Sequence, residues 1–216
     1  SDNKPYTHPE MIMKHRINHW GYHLVALSIH LGANKQRIVL LALVLDQVSK
    51  VYIKTHFQLG EAREVFSWFW IVFVENNGMA FGIEWFSKLL LTLFRIVAVG
   101  VLGWYIHTMI HKQTVRTGYL TTIAMVIAGA LGNIIDCVFY GKIWGYAEWF
   151  HGRVVDMLYF PLIRNAAGEC LFFRPVFNIA DSFITVAVFL IIIFYRKDLD
   201  ESLNQIFPKK EDRSDK

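Results

Sequence analysis

After Ser182 the chain runs FITVAVFLIIIFY, thirteen residues in which Thr185 is the one polar side chain. No other feature constrains the fold as tightly. A helix of this composition is soluble in lipid, and its apolar surface runs all the way round. Yet the run is headed by FNIAD, which places Asn178 and Asp181 three residues apart at its start.

The rest of the chain agrees with the membrane class. Hydrophobic residues make up 54% of the 216 and aromatic residues 15%, more apolar than a soluble domain of this length. Spans are predicted at about 38–53, 89–110, 119–139 and 177–195. The first is the weakest, because it carries Asp46, Gln47, Ser49 and Lys50. The run VFSWFWIVFV at 65–74 is too short to span; it suits an extended or interfacial segment, and ENNG at 75–78 reads as a turn. HKQTVRTG at 111–118 joins the second and third spans as a hairpin. The long linkers, about 55–88 and 140–176, fall on the other side from the termini and are where an active surface would be built.

Three domains of unequal character are predicted: an interfacial extension at 1–37, the membrane domain at 38–196, and a charged tail at 197–216 that reads as solvated and frayed. Residues 1–34 do not read as a signal peptide, since the apolar run at 24–31 is short and broken. His15, His19 and His23 share a helical face; an interfacial helix is favoured over a weak HxxxH metal site. Lys and Arg flank both sides of the spans, so charge counting leaves orientation undecided. The net charge of +4 is too small and scattered to argue for nucleic acid. Cys137 and Cys170 do not make a disulfide framework, and Cys137 reads as a small buried hydrophobe.

Ionisable groups inside spans are costly and usually mark function. Asp46 and Lys50, at i and i+4, lie on one helix face and can pair; a structural ion pair and a functional one stand level. Arg95 has no evident chemistry. GALGNIIDC at 129–137 puts Asn133 and Asp136 on one face, with Gly129 and Gly132 admitting a neighbouring backbone. FNIAD repeats the spacing, and GRVVD at 152–156 delivers Asp156 from the linker. Two close carboxylates share a proton; the ionised one activates water while the protonated one donates to a carbonyl oxygen. Carboxylates at membrane level also serve proton-coupled transport. From the residues alone an intramembrane hydrolase and a proton- or ion-coupled transporter stand level, with a packing scaffold as a third reading.

Five motifs break the tie. DQVSK (46–50), NNGMAF (76–81), GNIID (132–136), GRVVD (152–156) and FNIAD (177–181) follow the order of those in prolipoprotein signal peptidase, also called signal peptidase II. The chain resembles that family over about 38–196. The resemblance implies an all-α membrane fold with four transmembrane helices, a small extracytoplasmic β-structured cradle at about 55–88 and an extracytoplasmic loop at about 140–176. It implies an aspartic endopeptidase of the bacterial inner membrane, active site toward the extracytoplasmic face, without a metal or other cofactor, and blocked by globomycin. Its partners would be diacylglyceryl prolipoproteins and membrane lipids, its state monomeric, and its cut just before the lipidated cysteine. Asp156 and Asp181 take the catalytic positions in this reading. Asp46, Lys50, Asn76, Gly78, Ala80, Asn133, Asp136, Asn178 and Ala180 take supporting ones.

The sequence departs from the family pattern in two places. Cys137 stands where GNxxDR has its arginine, which makes Arg174 the first candidate and Arg153 the second for holding the substrate backbone. The linker between Asp136 and Asp156 is also long, with the aromatic insertion YGKIWGYAEWFHG, read as an interfacial loop in preference to a lid.

Overall fold

The structure is a computed structural model that describes residues 32–77, 84–112, 115–164, 170–172 and 175–208. The chain divides into two compact units, Ser1–Arg37 and Ile38–Lys216, and the sheet and the candidate site described below lie in the second. Gly78, Ala80, Arg174 and the histidines at 15, 19 and 23 fall outside the described residues.

Four long helices carry the fold: α1 (Gly32–His56), α2 (Glu84–Lys112), α3 (Thr117–Ile135) and α4 (Ile179–Phe194). Beyond α3 a π-helical segment, Asp136–Tyr140, and one further turn, Gly141–Ile143, continue the helix. Two stretches, Lys88–Lys112 and Thr117–Ile143, are long and apolar enough to cross a membrane. A third qualifies if α4 and the following helix α5 (Arg196–Ile206), bent by 90° at their junction, count as one span. Helix α1 fails on composition, because Arg37 or Lys54 joins Asp46 and Lys50 in its more apolar stretches that are long enough to span. Its packing is nonetheless inside out: Leu40 and Val48 are 64% and 62% exposed, whereas Asp46 and Lys50 are 1% and 0% exposed. Water would favour the reverse, and a lipid surround favours this arrangement.

Close contact between α3 and α4 depends on glycine. A Cβ at Gly129 would collide with the carbonyl oxygen of Ala180, and one at Gly132 would sit 2.6 Å from Asp46 Oδ2. These absences let the Ala180 backbone of α4 and the Asp46 carboxylate of α1 both close on α3, as small residues do between membrane helices.

A three-stranded antiparallel sheet caps one end of the bundle, in the order β1 (Ala62–Phe66), β2 (Phe69–Asn76) and β3 (Val154–Tyr159). The run at 65–74, expected to be extended or interfacial, is thus a hairpin turning at Ser67 and Trp68. ENNG does not begin as a turn either, since Glu75 and Asn76 pair with Val155 and Val154. The sequence reading confined β structure to 55–88, but β3 comes from the second long linker. Its paired residues on β2 lie 78 to 89 positions away in the chain, and local pattern says nothing about such a pairing. Ile53, Phe57, Phe73, Tyr140, Val155 and Met157 form the core beneath the sheet, so α1, the π segment and both linkers meet there. A short hairpin, β4 (Ile163–Arg164) with β5 (Cys170–Phe172), follows β3. Cys137 is a free, buried thiol.

The charged tail also differs from expectation, because residues 196–206 form α5 and not a frayed end. Arg116 holds it: Nη2 lies 2.6 Å from Asp198 Oδ2, Nε 2.9 Å from the same oxygen, and the Arg116 backbone N–H donates to Asp198 Oδ1 at 2.9 Å. Ser202 completes the dock in a hydroxyl cluster with Tyr105 and Tyr119.

Candidate active site

The site begins with the first turn of α4. Asn178 is its N-cap: the Asp181 N–H donates to Asn178 Oδ1 at 2.9 Å, and the Asn178 N–H donates to Asp181 Oδ2 at 3.4 Å. This reciprocal cap is why FNIAD stands at the head of an apolar helix, where free N–H groups would otherwise lack acceptors. The Asn178 side chain also looks outward from the helix. Its Nδ2 donates to Asp156 Oδ1 at 2.8 Å and to Asn133 Oδ1 at 3.1 Å. One asparagine therefore touches both aspartates, one on β3 and one on α4.

Each carboxylate has a second amide. Asn76, on β2, donates to Asp156 Oδ2 at 3.1 Å, and Asn133, on α3, donates to Asp181 Oδ1 at 2.7 Å. Asp156 is buried at 2% exposure, whereas Asp181 is half-buried. Burial and the charge of Asp181 push the Asp156 carboxyl up to about 6, against the pull of the Asn76 and Asn178 hydrogen bonds.

Beneath lies a fully buried ionic layer. Lys50 Nζ sits 2.8 Å from Asp46 Oδ2 and 2.8 Å from Asp136 Oδ2, and donates to Asn133 Oδ1 at 3.0 Å. Asp136 Oδ2 also accepts from the Val155 N–H at 3.2 Å, one residue before Asp156. Asp46 Oδ1 accepts from the Ala180 N–H at 2.9 Å, one residue before Asp181. Each acid of the lower layer thus holds the backbone next to an acid of the upper one. Asp46 and Lys50 do pair, as their spacing allowed, but the pair is one part of a network across α1, α3, β3 and α4.

Gln47 belongs to the same layer, although the sequence reading assigned it nothing. Its Nε2 lies 3.0–3.1 Å from Asp46 Oδ2, the Gly132 carbonyl and Asp136 Oδ1, and its Oε1 accepts from Tyr140 Oη at 3.2 Å. A glutamine inside a predicted span, between two ionisable residues, is the available signal. Gly152 closes the insertion onto the site: its N–H donates to the Cys137 carbonyl at 2.8 Å, and a Cβ there would strike the Asp136 carbonyl.

Arg153, a candidate for substrate contact, is directed at the sheet. Its Nη1 donates to Glu75 Oε2 at 3.0 Å and its guanidinium lies 5.2 Å from the Tyr146 ring. Glu75 also pairs with Lys54, which is ringed by Phe73, Trp144 and Tyr146 at 5.1–5.6 Å. The aromatic insertion is thereby fastened to β2 on the strand register that brings Asn76 to Asp156.

A bundle apolar outside and charged inside, with amide-braced carboxylates at one end, defines a membrane protein built around a polar reaction or transfer site. Comparison with known proteins narrows this class. A model of the family described as signal peptidase (SPase) II matches residues 38–196. The lipoprotein signal peptidase of Porphyromonas gingivalis is 44% identical over 182 residues, covering 73% of this chain and 80% of the relative. That of Amoebophilus asiaticus is 34% identical over 188 residues, covering 78% and 80%. Two bacterial membrane enzyme structures obtained by the in meso method are similar in fold. One is 28% identical with a TM-score of 0.58, covering 86% of this chain and 96% of the other; the second is 30% identical with a TM-score of 0.57, covering 77% and 95%. The chain belongs to the signal peptidase II family and is a peptidase of a bacterial membrane.

Proposed function

We propose that this peptidase removes signal peptides from diacylglyceryl-modified prolipoproteins by aspartic catalysis, cutting just before the lipidated cysteine. The observation that carries the reading is the Asn178 side chain, hydrogen-bonded at once to Asp156 and to the Asp181 backbone. Two acids braced by one amide, one enclosed and one half-open, suit a pair that must hold one proton between them.

Asp181, the more open acid, takes a proton from water as the water oxygen attacks the scissile carbonyl carbon. Asp156, the enclosed acid, gives its proton to the carbonyl oxygen, so the peptide becomes a neutral gem-diol. Collapse breaks the C–N bond: Asp181 passes its proton to the departing nitrogen, and a gem-diol hydroxyl returns one to Asp156. Atoms and protons balance and no covalent enzyme intermediate forms. Asn133, Asn76, Asp46, Lys50 and Asp136 position the pair through the contacts given above.

In this reading α1 is a fourth span, the termini face the cytoplasm, and the sheet lies on the extracytoplasmic side of the inner membrane. The lipid-exposed Leu40 and Val48 on α1 support the fourth span. The enzyme acts as a monomer, with the substrate's acyl chains among the helices, each buried CH₂ contributing about 0.8 kcal/mol. A gel-shift assay with lipidated prolipoprotein tests the proposal. Wild type should cleave it and Asp156→Asn and Asp181→Asn should not; cleavage surviving in either variant overturns the dyad. Solute uptake by proteoliposomes without cleavage would favour a transporter.

A further inference from the structure

Most of α2 faces outward. Leu93, Phe94, Ile96 and Val97 are all exposed, Phe94 at 68%. One stripe is polar and faces inward. Lys88, Thr92 and Arg95 follow the spacing i, i+4, i+7, which keeps them on one helix face. Lys88 Nζ reaches Asn77 Oδ1 at 3.4 Å, beside the Asn76 that braces Asp156. Thr92 is 1% exposed and its hydroxyl donates to the Lys88 carbonyl. Arg95 Nη1 donates to Cys137 Sγ at 3.1 Å, next to Asp136.

Arg95 is the conspicuous member. It lies seven residues, roughly 10 Å of helix, inside the Lys88 end of the span. A guanidinium at such depth is costly and has to be matched by acceptors. Among the described residues no carboxylate pairs with it, and its partner is a thiol sulfur, a weak acceptor. Five N–H donors in a planar fork suit carbonyl or anionic oxygens. Side chains on a helix lean toward its N-terminus, which aims this fork toward the end of the bundle that holds the dyad. Cys137 adjoins Asp136, whose carboxylate holds the Val155 N–H, so the fork and Asp156 flank the same junction between α3 and β3. The position after Asp136, where the family pattern has an arginine, is thus reached by a guanidinium from another helix.

We propose that Arg95 is a substrate-binding residue, whose guanidinium leaves the Cys137 thiol to donate to main-chain carbonyl oxygens of the prolipoprotein as it crosses the site. The proposal rests on the peptidase reading given above. The polar stripe of α2 then forms the wall of the peptide groove opposite α4, and the thiol is only the resting partner of the arginine.

The test uses the full-length protein in phospholipid nanodiscs with a lipidated prolipoprotein peptide. Arg95→Ala should raise KM about tenfold or more while kcat changes far less, the size expected for charge-assisted hydrogen bonds. Arg95→Lys should recover part of the loss, and Phe94→Ala, altering the lipid-facing neighbour, should leave KM unchanged. Esters in place of single backbone amides weaken the carbonyl as an acceptor. At one position such a peptide should bind wild type less tightly and Arg95→Ala no differently. Wild-type kinetics in Arg95→Ala, or no position with that difference, overturns the proposal. So does a KM effect that disappears in phosphate-free detergent micelles, which would make a lipid headgroup the ligand. Should Arg95→Ala fail to fold, Arg95→Gln read against the same ester series decides the matter. The dyad is tested separately by Asp156→Asn, whose loss of cleavage does not depend on Arg95.

Discussion

The amide of Asn178 donates to Asp156 Oδ1 at 2.8 Å across 22 positions of chain, and the same side chain caps the helix that bears Asp181. Folding of α4 and placement of the two acids are therefore one event. Replacing Asn178 with Ala should lower kcat by about 10² and remove a helix cap contributing about 1 kcal/mol. Asn178→Asp should keep the cap and still lose activity, because it sets a third carboxylate against Asp156. Turnover and thermal unfolding in detergent, measured on both variants, separate cap from chemistry.

The pH profile should carry the mark of Asp156. Its carboxyl is pushed up to about 6 by burial and by Asp181. Because the folded value lies above the unfolded one, this group favours the folded state at low pH. That contribution is lost as pH rises from the ordinary carboxylate range through about 6. In the proposed mechanism the protonated form is required, so kcat/KM should fall on the alkaline side of about 6. Asn76→Ala removes a hydrogen bond that favours the ionised form and should move this limb upward. A limb that stays in place would separate Asp156 from the profile.

Glu75 behaves in the opposite sense. Burial raises it, but hydrogen bonds from Lys54 and Arg153 outweigh that and hold it below its ordinary value. Its stabilisation is present above the unfolded value and is lost as pH falls through the folded one. Glu75→Gln should destabilise the protein by about 3 kcal/mol, since Lys54 would stay enclosed by Phe73, Trp144 and Tyr146 without a counter-charge. Protease nicking of the insertion at 140–152 should then become faster, which limited digestion would record.

Lys50 holds Asp46 and Asp136 together at 2.8 Å each. Lys50→Met should cost about 3–5 kcal/mol by leaving two buried acids without a cation. Adding Asp46→Asn and Asp136→Asn to it should recover part of that stability in thermal unfolding, while activity stays low because the Val155 and Ala180 backbones lose their charged acceptors.

The apolar helix α4, the Asn–Asp spacing of GNIID and FNIAD, and the i, i+4 pair on α1 were all legible in the residues. Periodicity and the cost of charge in lipid act locally and need no knowledge of neighbours. Three features were not. The tail became α5 because Asp198 meets an arginine 82 positions away, and its local charge pattern alone predicted a solvated end. Strand β3 came from the second linker because its pairing with β2 is long-range. Arg95 had no chemistry until α2 packed against α3 and brought it to Cys137. Residue chemistry along the chain marks out the groups that are too polar for their surroundings. Which of them meet is a property of the packing, because buried charges take their partners from whatever elements come within about 3 Å.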